Sequence, residues 1–383
     1  MSRVMIVTND FPPRQGGIET FVATIAGGLP ADQVVVYTSR TRGQELNDAQ
    51  LPYPVLRDPT SMLVPSPPTR RRVVEAFGAH GCDRVIFGAA APLGLLARPL
   101  RAAGAKRIVG ITHGHELWWA RVPGARHVLR RIGDDCDALT YLGEYTHRVI
   151  AGALTSDAAG RMVRMPPGVD TSVFRPADDG VGANDDERRQ LRSQWGIDVA
   201  APVLICVGRL TPRKGQDTLV AAWPEVLAAL PAARLVITGP GDDSALRSAA
   251  TRLGVANRIV FTGGVPHEQT PAFFAAADVF ASPCRDRHAG LEVEGLGIVF
   301  LEASACGLPV IVGRSGGTVD TVLDGRTGVV VDPADVRAVA TAVIELLGAP
   351  ARAAAMGRAG RKWVERGWTW GHVHDTVARL LEL

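Results

Sequence analysis

A chain of 383 residues, 46% hydrophobic and 21% charged, is long enough for two domains and too apolar to be disordered. Lys and Arg number 42 against 39 Asp and Glu, a net charge of +3, which argues against a dedicated nucleic-acid binder. The longest apolar run, 85–97, is broken by Gly88, Pro92 and Gly94 and is too short for a bilayer span.

Strands are expected at 4–8, 34–38, 84–87, 107–111, 138–141 and 162–165, with helical periodicity over 18–27, 68–77 and 122–132 between them. The first strand starts so near Met1 that no room is expected for a signal peptide. The alternation stops at Pro166-Pro167-Gly168, and the acidic stretch from Asp178 to Glu187 reads as a surface linker. Strands resume at 203–207, 234–238, 258–261, 279–281, 310–312 and 327–331. Helices are expected at 216–229, 243–253, 269–277, 298–306 and 336–347. Residues 351–383 read as helical with a break near Gly367-Trp368. Such alternation implies α/β architecture with two doubly wound, Rossmann-like parallel sheets. The expected division is 1–170 and 171–367. Five scattered cysteines without a C-x-x-C pair are expected to be free thiols of a reducing compartment, and a metal site on them is not expected.

In doubly wound sheets, ligands bind beyond the carboxyl ends of the strands, so the loops there are the ones to read. The first is Asn9-Asp10-Phe-Pro-Pro-Arg-Gln-Gly16-Gly17, whose glycines let backbone N–H groups approach a phosphate or sugar. No G-x-G-x-x-G or G-x-x-x-x-G-K-[ST] occurs, which weakens dehydrogenase and P-loop readings. Arg209 and Lys214 share the loop after the strand at 203–207, and a fixed fork beside a point charge suits a diphosphate. Glu294 and Glu302 bracket Gly-Leu-Gly, which opens a helix near Ile298. The orphan N–H groups of Ile298 and Val299 then point at an anion. Glu302, one turn further, suits a ribose diol, and Glu294 suits sugar hydroxyls. Thr112-His113-Gly114-His115-Glu116 lacks the helical H-E-x-x-H of zinc enzymes. His113 is therefore read as a polar lining group and not as a metal ligand.

Together, the E-x7-E pair (Glu294, Glu302) and the R-x4-K pair (Arg209, Lys214) resemble the donor-site pattern of retaining GT-B glycosyltransferases of family 4. Further stretches resemble the actinobacterial phosphatidylinositol-mannoside mannosyltransferases within it: 7–14, 87–93, 112–116, 130–133, 212–218 and 293–303. The resemblance implies two Rossmann-like domains facing across a cleft, with the last helix, 368–383, completing the first. It implies GDP-mannose as donor and a phosphatidylinositol glycolipid carrying one mannose as acceptor, extended through an α-1,6 bond. It implies no cofactor, no metal and no nucleic acid.

By the same resemblance, Arg209 and Lys214 hold the diphosphate, Glu302 the ribose, and Glu294 the transferred sugar. His113 meets the sugar's 6-hydroxyl, Gly16 and Gly17 line the cleft, and Val265 lies near the base. His113, Glu294, Arg209 and Lys214 are the expected catalytic group. Asn9, Asp10, His115, Glu116 and Tyr145 are expected on the acceptor side. The chain departs from the family pattern at 117–121, at Gly143-Glu144 and at 288–292, and the first two departures bear on the acceptor. A soluble acceptor such as an inositol phosphate, another nucleotide sugar, or a dehydrogenase or ligand-binding α/β protein remain the competing readings.

Residues 1–170 carry 20 Lys and Arg against 15 Asp and Glu. Arg70-Arg71-Arg72 and Arg126, Arg130 and Arg131, beside Trp118 and Trp119, are expected to dock the protein peripherally on the cytoplasmic face of the membrane.

Overall fold

The computed structural model describes residues 2–14, 16–176 and 184–383. They form two compact units, 1–167 with 371–383, and 168–370.

The first unit is built on a seven-stranded sheet: β1 (Val4–Thr8), β2 (Val34–Ser39), β3 (Val55–Asp58), β4 (Arg84–Phe87), β5 (Arg107–Gly110), β6 (Ala138–Tyr141) and β7 (Val163–Arg164). Their order is β3-β2-β1-β4-β5-β6-β7, with every pairing parallel. β1 and β2 are buried along their whole length, as expected of strands covered by helices on both faces. Two helices of this unit start on side-chain caps. Ser66 accepts from the Thr69 N–H ahead of Pro67–Ala79, and Thr155 accepts from Ala158 ahead of Ser156–Gly160. The chain's last helix, Trp370–Leu381, packs Val377, Leu380 and Leu381 against Ile86, Val109, Ile111 and Met165. Arg107 donates to the Leu380 carbonyl at 2.9 Å, and the His374 ring meets the Thr24 carbonyl at 3.2 Å.

The second unit repeats the plan with six parallel strands: β8 (Val203–Val207), β9 (Arg234–Thr238), β10 (Ile259–Gly263), β11 (Val279–Ser282), β12 (Val310–Gly313) and β13 (Gly328–Val331). Their order is β10-β9-β8-β11-β12-β13. The helices Gln216–Ala229 and Val336–Leu347 pack on one face around the fully buried Trp223. In both sheets the order reverses beside the first strand, between β1 and β4 and between β8 and β11, which is where such folds bind ligands.

Two expectations need correction. β3 was not expected. It is short, with three half-buried residues, so it lacks an apolar signature. The linker expected from Asp178 to Glu187 lies outside the described residues up to 183, and from Asn184 the chain is helical to Gln194. That helix docks through charge. Arg192 is 1% exposed and donates to the carbonyls of Ala276, Val199 and Ala201 and to Asp278. Arg188 takes the other Asp278 oxygen at 2.6 Å. All five cysteines are buried and free.

Candidate active site

In the second unit the loops after β8 and β11 meet, because those strands are neighbours. Gly215 makes the approach possible. Its φ is +77°, and a Cβ there would stand 2.1 Å from the Pro283 carbonyl oxygen. Lys214 thereby places its ammonium 2.7 Å from Glu294 Oε2, and the Arg213 guanidinium bonds the same oxygen. Burial opposes both charges, but each is outweighed by its partner. Lys214 is held above and Glu294 below its ordinary pKa. The Glu294 backbone is pinned as well: its N–H reaches Ser315 Oγ at 3.3 Å, and its carbonyl accepts from Gly317 at 2.8 Å. Cys284 Sγ lies 4.0 Å from Glu294 Oε2.

Ile298 and Val299 open the helix Ile298–Ala305 after Gly297, which is left-handed at φ +86°. Glu302 lies one turn in and is buried. Burial pushes its carboxyl up to about 7, only partly offset by Lys214. His267 Nε2 lies 3.6 Å from Glu302 Oε1. Val265, half-buried, sits in the loop after β10 that also carries His267. Arg209 is exposed and, among the described residues, makes no ion pair. The structure therefore gathers Lys214, Glu294, Glu302, Ile298 and Val299 at the carboxyl ends of β8 and β11 and leaves Arg209 open to solvent.

In the first unit, Thr112 to Glu116 follows β5. His113 is buried, and its Nε2 meets the Gly88 carbonyl beyond neighbouring β4 at 2.7 Å. Phe21 packs edge-on at 5.7 Å between ring centres. Glu116, fully buried, accepts the His113 backbone N–H at 2.7 Å and lies 3.1 Å from His115 Nε2. Burial opposes charge on His115, but Glu116 prevails and pushes its pKa up to about 9. Burial raises the Asp10 pKa, against the pull of His115.

Asn9 is engaged elsewhere: its amide donates to the Leu63 carbonyl and accepts from the Leu63 N–H, clamping that loop. Gly16 and Gly17 stand at the start of the helix Gly17–Gly27, where the Glu19 carboxylate folds back over Gly16. Tyr145 takes a 2.6 Å hydrogen bond from Arg121.

Of the basic residues expected at a membrane, Arg72 is spent on Asp58, and Arg126 and Arg130 on the carbonyls of Gly152 and Ala153. Arg70 and Arg71 are exposed, as are Met62 and Val64 just before their helix. Among the described residues, no single helix is long and apolar enough to cross a membrane.

Sequence reasoning missed Arg213, Gly88 and Ser315. Arg213 stands beside Lys214 in a visibly basic loop. Gly88 and Ser315 act through a backbone carbonyl and a small hydroxyl, for which no sequence signal exists.

Residues 15–173 match the model "Glycosyltransferase Family 4", and residues 187–363 match "Glycosyl transferases group 1". The chain is 48% identical over 385 residues to a GDP-mannose-dependent alpha-(1-6)-phosphatidylinositol monomannoside mannosyltransferase of Mycolicibacterium smegmatis, covering 99% of this chain and 97% of the relative. It is 42% identical to a GDP-mannose-dependent monoacylated alpha-(1-6)-phosphatidylinositol monomannoside mannosyltransferase of Corynebacterium glutamicum, over 99% and 98% of the two chains. The fold matches Anabaena HepE, solved with UDP, with a TM-score of 0.81 at 20% identity over 99% of each chain. Two Rossmann-like units, both family matches and near-full-length relatives lead to one conclusion: the chain belongs to the GT-B glycosyltransferases and is a mannosyltransferase-like member of that family.

Proposed function

We propose that the chain moves mannose from GDP-mannose to phosphatidylinositol monomannoside through an α-1,6 bond, keeping the donor's anomeric configuration and using no divalent metal. The observation that carries this is the 48% identity to the mycobacterial enzyme of that name across 99% of the chain. In this reading Lys214 and Arg209 hold the diphosphate, and the N-terminus of the helix Ile298–Ala305 faces its growing charge. Those groups supply the positive charge that a metal would otherwise bring. Glu302 takes the ribose hydroxyls and Val265 the base. Glu294 orients the mannose and stabilises positive charge at its anomeric carbon. The bond from that carbon to the phosphate oxygen breaks as the acceptor oxygen attacks the same face. The leaving phosphate takes the acceptor's proton. The first unit supplies His113 for the sugar's 6-hydroxyl, with Asp10, His115, Glu116 and Tyr145 on the acceptor side.

The acceptor is a lipid, so the protein works at the cytoplasmic face of the membrane as a peripheral protein. Met62 is 61% and Val64 55% exposed, a few residues ahead of the exposed Arg70 and Arg71 in the chain, and this suits shallow contact with an anionic leaflet.

The test is transfer by purified protein from labelled GDP-mannose, against other nucleotide sugars, to phosphatidylinositol monomannoside and to free inositol phosphate. Product NMR is expected to show an α-1,6 linkage in the lipid arm. Transfer to the soluble acceptor alone, an inverted product, or loss of activity in EDTA with rescue by Mn²⁺ would overturn the corresponding part of the reading.

A further inference from the structure

One oxygen, Glu294 Oε2, takes two cations, and the two are held very differently. Among the described residues, the Lys214 ammonium has a single side-chain partner, that oxygen at 2.7 Å. Arg213 grips the 292–294 segment at several points: Glu294 Oε2, the Val293 carbonyl at 3.4 Å, and the Glu292 carboxylate at 3.6 Å. The Arg213 carbonyl also accepts from the Arg285 N–H at 2.9 Å, tying its own backbone to the same loop. Arg213 is thus fixed to the segment that carries Glu294, whereas Lys214 is tied to it through its ammonium alone, at the end of a four-carbon stem.

We infer that Arg213 is the positioning residue for Glu294: it keeps that carboxylate in place when Lys214 releases it to the donor's diphosphate. The inference rests on the donor reading above and deepens it. In the ligand-free protein, Glu294 occupies the ammonium that the diphosphate is to take. Donor binding is therefore an exchange of anions on Lys214. The released carboxylate stays largely buried and close to incoming negative charge. A buried carboxylate stripped of its only cation is strongly unfavourable, so the exchange needs a second cation that does not move. Arg213 is that cation, and its planar head also holds Glu294 at the angle the sugar requires.

A double-mutant cycle on GDP affinity, measured by calorimetry, tests this. Arg213→Gln in the natural background is expected to weaken GDP binding by roughly tenfold or more, because Lys214 becomes the sole partner of Glu294 and is harder to recruit. With Glu294→Gln already present, no carboxylate needs holding, and the same change is expected to cost less than about threefold. Equal losses in both backgrounds would mean that Arg213 touches the phosphates directly, and no loss in either would make it a bystander. Both results overturn the inference while leaving the donor reading intact.

If Arg213→Gln does not fold, Arg213→Lys carries the test. A lysine keeps the charge but cannot hold both Glu294 and the Val293 carbonyl, so kcat is expected to fall while GDP affinity holds. An unchanged kcat would overturn the inference. Failure of the natural protein to bind GDP would instead sink the donor reading itself, and the inference with it.

Discussion

His113 Nε2 lies 2.7 Å from the carbonyl oxygen of Gly88. A carbonyl can only accept, so the proton sits on Nε2, and burial, which lowers the ring's pKa, keeps the imidazole neutral. Nδ1 is left as an acceptor for a hydroxyl. Nitrogen NMR is expected to show His113 protonated at Nε2 and bare at Nδ1 at neutral pH. His113→Ala is expected to lower transfer by at least about tenfold, the worth of one ~1.5 kcal/mol hydrogen bond, with GDP affinity unchanged. A protonated Nδ1, or an equal loss of GDP binding, would contradict this arrangement.

Lys214→Ala is expected to weaken GDP binding by ~1.5–3 kcal/mol, as is typical of a hydrogen bond to a charged group. The low end is expected, because Lys214 must first leave Glu294. Arg209 has no ion pair to break among the described residues, so Arg209→Ala is expected to cost the full interaction. Calorimetry with GDP measures both, and unchanged affinity in both variants would remove the diphosphate from this loop.

Glu302 gives stability a pH dependence of definite sign. Its pKa is raised by burial to about 7, so the folded chain binds a proton there that the unfolded chain has lost. Stability is therefore full below the unfolded value, near pH 4.5, and falls as pH rises through about 7. The whole drop is at most about 3 kcal/mol. Denaturation of Glu302→Gln across this range is expected to show a flatter profile than the natural protein, and parallel profiles would show that Glu302 ionises normally.

Arg192 is expected to be structural. Replacing it by Met leaves Asp278 with Arg188 as its one remaining cation beside the Val203 N–H, and strips three carbonyls of a donor, so a loss of about 3–5 kcal/mol is expected. Urea denaturation followed by Trp fluorescence reads this directly. A change under about 0.5 kcal/mol, the size of an ordinary surface substitution, would show that the helix Asn184–Gln194 does not dock through Arg192.

Sedimentation with liposomes addresses the membrane. Binding is expected to rise with phosphatidylinositol content and to fall with salt. Arg70→Ala with Arg71→Ala is expected to weaken binding by about 1 kcal/mol per arginine, and Met62→Ser with Val64→Ser to weaken it independently of salt. Equal binding to neutral and anionic vesicles, or none to either, would favour a soluble acceptor.

Much of this molecule is legible in its sequence. The runs at 4–8, 203–207 and 234–238 are short stretches with continuous apolar centres, and the helix Gln216–Ala229 has the expected bounds. The doubly wound plan then located the loops that hold His113, Lys214 and Glu294. Periodicity reports burial of apolar faces, so it is silent where burial is carried by charge. The helix Asn184–Gln194 therefore read in part as linker, because what anchors it is Arg188 and Arg192 on Asp278.

Spacing along the chain could mark Lys214 and Glu294 as members of one motif set. It could not reveal that Glu294 has two cations, that Asn9 is committed to Leu63, or that Arg72 is consumed by Asp58. Those pairings join residues 80 or 81, 54 and 14 positions apart. Strand order makes the first of them, by setting β8 beside β11 and letting Gly215 close on Pro283. A side chain's type tells what it can bind. Which partner it meets depends on which loops the sheet brings within hydrogen-bond reach, a distance of about 3 Å that sequence separation does not encode.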